Sequence, residues 1–351
     1  MRFNNLKISY EPHKWKWWHL PFIIIMIFGT VVIINSKLNR INNSWKYSEG
    51  KIFGTMYHIS YNSSINLNDS IVYFLNIVDK SLSTFNDSST LSQVNSNSSN
   101  LMDSMMCVVV HAAQNVYEQT GGAFDITVAP LVNAWGFGFK DAENIDSLKI
   151  DSILHFVGMN QLTIAGNNIY KSDYRIMLDC SAIAKGYSVD VIANMFLRNN
   201  VFDFMIEIGG EIRTSGKNNK NEIWKIGINQ PVDDVLSDNH DLQNIIEITN
   251  MSIATSGNYR NFYIKNNKKY AHTIDPRSGY PVQHSILSST VFTKECMVAD
   301  AYATAFMVMG IEKSKAFLSK HKDIKAYFIY STDGGENAVW HSDGLKLKND
   351  Y

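Results

Sequence analysis

Cysteine is scarce in this chain, with only Cys107, Cys180 and Cys296 among 351 residues. Three thiols so widely spaced cannot build a disulfide framework or a zinc site, which need paired ligands at short intervals. They read as free or partly buried thiols. Net charge is almost absent as well: 32 basic residues face 33 acidic ones, for a formal charge of −1. That excludes a global field drawing in nucleic acid or an anionic surface, so any anionic ligand must be held by a local site. Internal repeats, a Walker loop and a dinucleotide-binding fingerprint are also missing.

What is present is an ordinary globular composition, 45% hydrophobic, long enough for one large domain or two modest ones. The run from Leu20 to Ile34 carries no charge and, counted from Trp17, reaches the lower limit for spanning a bilayer as a helix. Basic residues Arg2, Lys7, Lys14 and Lys16 precede it, which favours a cytoplasmic N-terminus. A cleaved signal peptide is the competing reading, but no small-x-small site follows the run. The expected organisation is a basic cytoplasmic tail at 1–16, one transmembrane helix at 17–36, a tether at 37–48 and a folded domain at 49–345.

Within that domain the pattern predicts a first strand over Lys51–Tyr61 and a helix over Ile71–Leu82, then a Ser/Asn-rich surface loop over Asn86–Asn100. A second helix spans Asp103–Gln119, with Asp103 or Ser104 as its cap and Gly121 and Gly122 beyond its end. Tyr174–Leu178 reads as a strand running into Asp179, followed by a helix over Ile183–Leu197 capped by Ser181. Val201–Ile208, Trp224–Ile228 and Ile245–Ile248 read as strands, and Met297–Met309 as a late helix stopped by Gly310. Strands and helices alternate without a strict βαβ rhythm, which makes the fold α+β, mixed sheets flanked by helices.

Four segments carry candidate chemistry. In Ala299–Ala305 (ADAYATA), Asp300 and Thr304 are four apart and share a helix face, offering two hard oxygens that suit Mg²⁺. A solvated helix face would show the same spacing. In Leu178–Asp190 (LDCSAIAKGYSVD), the first peptide N–H groups of the helix and Lys185 make a place for phosphate oxygens, while Asp179 can accept hydrogen bonds from a ligand. Alternatively, Lys185 is a surface lysine and Gly186 serves close helix packing. Around the DPRSG turn stands His272, a candidate base or a structural histidine. Thr120–Gly138 (TGGAFDITVAPLVNAWGFG) is rich in Gly and aromatics and could admit a flat ring system or simply fill a core.

Taken in order, these segments together with GKIFGTMY, DKSLSTF, IEIGGEIR, IATSGNYRNF and HTIDPRSGYP resemble the ApbE family of FAD:protein FMN transferases. The resemblance covers the chain from about Gly50 to the C-terminal region and makes 49–345 a flavin transferase domain. It implies FAD as substrate, bound by Phe53, Phe85, Ala123, Phe124, Asp125, Asp179, Lys185 and Ile274. It further implies a Mg²⁺ site at Ala182, Asp300, Ala303 and Thr304, where the alanines could offer only carbonyl oxygens. FMN would pass from FAD to a Thr or Ser hydroxyl of an acceptor protein and AMP would leave. Mg²⁺ held by Asp300 and Thr304 would stabilise developing negative charge with Lys185 as a second cation, and His272 or Asp300 would take the proton. Family acceptors are extracytoplasmic segments of respiratory redox-complex subunits, which fits an inner-membrane anchor with the catalytic domain on the periplasmic side. Glu207, before the double glycine, departs from the Asn often found there. Hydrolysis of FAD to FMN and AMP, or FAD binding without turnover, are the alternative readings.

Overall fold

The structure is a computed structural model that describes residues 21, 24–33, 44–138, 145–229, 242–257, 262–265, 268–283, 285–332 and 334–348. Residues 24–33 form a helix, α1, whose large apolar side chains stand exposed, from Val31 at 48% to Phe28 at 70%. Among the described residues no helix is long and apolar enough to cross a membrane. The 1–16 tail, most of the flanks of the 17–36 segment and the tether up to residue 43 lie outside the described residues. A second compact unit runs from Trp45 to Tyr351.

That unit is built on a sheet of eight strands in the order β1-β2-β5-β6-β9-β12-β13-β14. These are β1 (Ser44–Ile52), β2 (Thr55–Ser63), β5 (Phe204–Ile208), β6 (Glu211–Ser215), β9 (Met251–Gly257), β12 (Ile286–Thr293), β13 (Lys325–Ser331) and β14 (Asn337–His341). Neighbours from β2 to β14 pair antiparallel. The strands follow one another in chain order, so the sheet is a meander with insertions. Helices α2 (Asn68–Leu82), α3 (Thr90–Asn95), α4 (Ser104–Gln119), α5 (Ala129–Ala134), α6 (Ser147–Leu154) and α7 (Ala184–Arg198), with the hairpin β3 (Leu162–Ala165) and β4 (Asn168–Lys171), lie between β2 and β5. Strands β7 (Trp224–Asn229) and β8 (Leu242–Ile248) lie between β6 and β9, and β10 (Phe262–Lys265) and β11 (Lys268–Ala271) between β9 and β12. Helices α8 (Cys296–Met309) and α9 (Ile311–Lys320) connect β12 to β13, and β15 (Leu347–Lys348) joins β8.

Alternation along the strands assigns the two faces of the sheet. Phe204, Ile206 and Ile208 pack with Ile71 and Leu75 of α2 and Ile192 and Phe196 of α7. Ala254, Val291, Ala326 and Phe328 pack with Ala299, Ala303 and Phe306 of α8. The opposite face, through Ile253, Phe292 and Tyr327, meets Ile226, Ile246 and Ile248 of the β15-β8-β7 sheet. Each fully buried side chain of this kind stabilises the fold by about 1.5–3 kcal/mol. The result is the mixed α+β architecture with flanking helices that the pattern predicts.

Four local expectations are corrected. Lys51–Tyr61 is not one strand: Phe53 and Gly54, at φ 52° and 71°, form the tight turn of a hairpin, where both central residues need positive φ. The Ser/Asn-rich stretch is not all loop. It holds α3, capped by the Ser89 side chain accepting from Ser92 N at 2.9 Å, and it buries Leu91 and Val94. Tyr174–Leu178 forms no strand. Its end is held instead by Asn95, whose Oδ1 accepts from Leu178 N at 2.7 Å while its Nδ2 donates to Leu178 O at 2.8 Å. Finally, Ser181 does not cap α7; its own N–H donates to Asp179 Oδ1 at 2.8 Å, and Ile183 precedes the helix without a side-chain cap.

Candidate active site

The site grows from the β5–β6 hairpin. Ile208 and Glu211 are cross-strand partners joined by Gly209 and Gly210, at φ 63° and 102°. Partners in register share a face, so Glu211 lies on the helix-covered side with Ile208, and Arg213 follows two residues on. Both meet α7. Lys185 Nζ donates to Glu211 Oε1 at 2.7 Å, and Arg213 Nη1 donates to Asp190 Oδ1 at 2.5 Å. A Cβ on Gly209 would stand 2.8 Å from Thr55 Cγ2 and 3.3 Å from Lys185 Cδ, so the bare turn lets the lysine stem run past it.

Helix α8 is pinned to α7 at two points. A Cβ on Gly186 would collide with Cys296 O and stand 2.8 Å from Asp300 Cβ, so only glycine permits this crossing. Gly186 N then donates to Asp300 Oδ2 at 3.0 Å. One turn along α7, Asp190 Oδ2 accepts from Met297 N at 2.9 Å and caps α8, whose preceding residue Glu295 makes no side-chain cap. Asp300 Oδ1 is left with Lys185 Nζ at 3.9 Å. On the next turn of α8, the Thr304 and Ser256 hydroxyls share a hydrogen bond of 3.0 Å.

Burial dominates the electrostatics here. The Glu211 and Asp300 side chains are each 4% exposed, against 30% for Lys185. Desolvation pushes both carboxyls above the ordinary carboxylate range, with Lys185 pulling them back. Burial disfavours the Lys185 charge, but Asp300 and Glu211 outweigh it and hold the ammonium above its usual value. Burial also raises Asp125 to about 6, against the hydrogen bonds that Thr127 donates to it through N and Oγ1.

The remaining sequence-predicted residues are placed as follows. Asp179 N donates to Ile126 O at 2.7 Å, which ties the Lys185 segment to the Ala123–Asp125 run. Ala123 packs with Val282 and Val308 of α8, and Phe124 joins the core under that helix. Trp135 Nε1 donates to Gly279 O at 2.8 Å, so the Gly/aromatic segment also grips the DPRSG turn, while Ile274 is buried beside Trp135. His272 follows β11, half-buried, with its ring edge-on to Phe137 at 6.5 Å. Phe53 packs against both main core clusters, Ala182 and Ala303 pack against the α8 cluster, and Phe85 is 78% exposed. One expectation narrows: the first N–H groups of α7 are not all open, since Ala184 N bonds Cys180 O and Gly186 N bonds Asp300.

Sequence reasoning gave no role to Glu211, Asp190, Arg213 or Ser256. The signal was the alternation Glu-Ile-Arg, which puts two charges on one face of a strand whose hairpin partner is apolar on that face. The three cysteines are free. A cavity of about 440 Å³ lies between α4 and the β3–β4 hairpin, lined by Cys107, His111, Met159 and Leu162 among others, and none of the candidate site residues lines it.

A hard cation fits the Asp300 neighbourhood. Asp300 Oδ1 has Lys185 Nζ no closer than 3.9 Å, Glu211 Oε2 is buried without a hydrogen-bond partner, and a hydroxyl stands one turn along α8. No group of three or more His, Cys, Asp or Glu among the described residues could hold a metal. A metal here would depend on one carboxylate, one hydroxyl and carbonyl oxygens, a donor set that suits Mg²⁺ completed by substrate phosphates and water.

Residues 53–328, which hold this sheet from β2 into β13 and the α7–α8 crossing, match the ApbE family. This chain belongs to that family. It is 36% identical to the FAD:protein FMN transferase of Vibrio cholerae over 297 residues, covering 82% of this chain and 87% of that protein. It is 33% identical to the FAD:protein FMN transferase of Haemophilus influenzae, over 82% and 86% of the two chains. The solved flavin transferase ApbE from Vibrio cholerae superposes with a TM-score of 0.77 at 33% identity, covering 86% of this chain and 98% of that one.

Proposed function

We propose that this chain transfers FMN from FAD to a Thr or Ser hydroxyl of an acceptor protein, with Mg²⁺, and releases AMP. Its relatives are named FAD:protein FMN transferase, which supports the transfer of FMN from FAD to a protein. The observation that carries the reading is an Asp300 oxygen without a hydrogen bond, 3.9 Å from the Lys185 ammonium, which stands at a helix start joined by Asp179 to the Ala123–Asp125 run.

The acceptor oxygen attacks the flavin-side phosphorus. A new O–P bond forms, the P–O bond of the pyrophosphate breaks, and AMP leaves with its electron pair. The hydroxyl proton goes to His272, imidazole being the side chain best suited to act as a base near neutral pH. Lys185 binds phosphate oxygens and holds positive charge where negative charge develops. Asp300, Thr304 and the carbonyls of Ala182 and Ala303 would hold Mg²⁺, which when bound would neutralise charge on the pyrophosphate. Phe53, Phe85, Ala123, Phe124, Asp125, Asp179 and Ile274 seat FAD.

The N-terminal segment serves as the anchor in this reading. Residues 1–16 stay cytoplasmic, 17–36 cross the inner membrane, 37–48 tether, and the transferase domain at 49–345 faces the periplasm, where acceptor segments of redox-complex subunits are met in two dimensions. The uncharged run of Leu20–Ile34 and the exposed apolar side chains of α1 support it. Protease added outside spheroplasts should digest the domain, and its protection would overturn the orientation.

The full chain in detergent, mixed with FAD, Mg²⁺ and a Thr-bearing acceptor peptide, should yield a peptide heavier by one FMN, and Asp300→Ala should lower the rate more than about 100-fold. AMP release without adduct would assign the site to hydrolysis, and unchanged FAD to binding alone.

A further inference from the structure

We propose that Glu211 is a positioning residue of this site: by taking Lys185 as its own ion-pair partner, it keeps the ammonium off Asp300 and leaves that carboxylate open to a cation. The inference rests on the reading of Asp300 as a cation ligand.

The distances carry it. One ammonium faces two carboxylates and makes a hydrogen bond to only one, Glu211 Oε1 at 2.7 Å, while Asp300 Oδ1 is kept at 3.9 Å. Glu211 is fixed from below. It begins β6, pairs across the hairpin with Ile208, and sits directly after the Gly209–Gly210 turn beside which the lysine stem runs. Among the described residues, Lys185 is the one side chain that hydrogen-bonds the Glu211 carboxylate, whose Oε2 is buried without a partner. Asp300 is held differently: Gly186 N donates to Oδ2 at 3.0 Å, and Oδ1 is the oxygen without a hydrogen bond. A lysine on a flexible four-carbon stem, released from Glu211, needs to move only about 1 Å to reach hydrogen-bonding distance of Oδ1. Both Asp300 oxygens would then be taken. Glu211 therefore divides the work, pairing with the lysine so that Asp300 need not.

The test uses the full chain and two variants, Glu211→Gln and Lys185→Met/Glu211→Gln, the second removing the charge that would close on Asp300. Mn²⁺ binding without FAD is read by electron paramagnetic resonance, and crystal structures give the Lys185–Asp300 distance. Glu211→Gln should bring Lys185 Nζ to about 3 Å from Asp300 Oδ1 and weaken Mn²⁺ binding about tenfold. The double variant should bind Mn²⁺ within about twofold of wild type, which also shows that a neutral amide in place of the Glu211 carboxylate leaves the fold intact. A lysine that stays at its wild-type distance in Glu211→Gln overturns the proposal, whatever happens to Mn²⁺, because Glu211 would then act on the ion directly. Unchanged Mn²⁺ affinity in that variant overturns it too. Wild-type protein that transfers FMN without binding Mn²⁺ removes the metal reading and this inference with it. Wild-type protein that binds Mn²⁺ but transfers nothing, with the lysine shift seen in Glu211→Gln, supports this inference and overturns only the transferase reading.

Discussion

Two ion pairs join β6 to α7, and they are built to different ends. Arg213 and Asp190 form a closed unit: Asp190 spends one oxygen on the guanidinium and the other on Met297 N, and the pair fastens α8 by its first turn. Lys185 and Glu211, at the start of the same helix, form an unfinished one. Glu211 Oε2 has no partner, and Asp300 Oδ1 waits 3.9 Å from the ammonium. A buried polar group left unsatisfied costs about 1–3 kcal/mol, so the incomplete cluster is stable only because the structure around it is closed. The contrast separates scaffold from site within one strand–helix contact.

Substitutions can break that contrast. Gly186→Ala has the largest expected effect on transfer, since its Cβ would run into Cys296 O and would drive α8 from α7. Stability should fall by about 3 kcal/mol in urea melts, and FMN transfer by more than about 100-fold. Asp190→Ala strands the Arg213 charge and removes the cap of α8. We expect a loss of about 4 kcal/mol, read by denaturation, with transfer per folded molecule changed less than about threefold. Equal losses of stability and transfer would erase the distinction between the pairs.

A subtler test is pH. Asp125 titrates near 6 in the folded protein because it is buried, so between its ordinary value of 3.8 and about 6 the folded state binds more protons than the unfolded one. Stability contributed by this group is therefore full below about pH 4 and declines as pH rises towards 6, by at most about 3 kcal/mol. Melts of Asp125→Asn against wild type should show the decline vanish. Phe85→Ala should be the mildest, within about 0.5 kcal/mol of wild-type stability because the ring is 78% exposed. A raised KM for FAD in that variant would place the ring at the flavin, and an unchanged KM would remove it from the site.

The sequence made the periodic parts of this molecule legible. Helices α2, α4 and α8 emerge from apolar spacing, and Asp103 announces the start of α4 by accepting from Met105 N and Met106 N. Phe53–Gly54 escaped because a turn with a phenylalanine at φ 52° lacks the usual Asn-Gly or Asp-Gly signal. Helix α3 escaped because its two core residues, Leu91 and Val94, are diluted by serine and asparagine. In the site, Asp300, Thr304 and Lys185 were readable from spacing and chemistry, while Glu211 and Asp190 were not. A charge on a strand or helix looks solvated until its partner is known, and these partners lie 26 and 23 residues away.

Those separations also imply an order of assembly. The contacts between α7 and β6 close loops of 26 and 23 residues, whereas Gly186 to Asp300 and Asp190 to Met297 span 114 and 107. Short loops close at lower entropic cost, so as the chain lengthens the lysine finds its glutamate before the aspartate exists to compete for it. The Asp300 side of the cluster is thus completed after the Lys185–Glu211 pair, and a chain cut before α8 would hold the lysine and the glutamate without the aspartate.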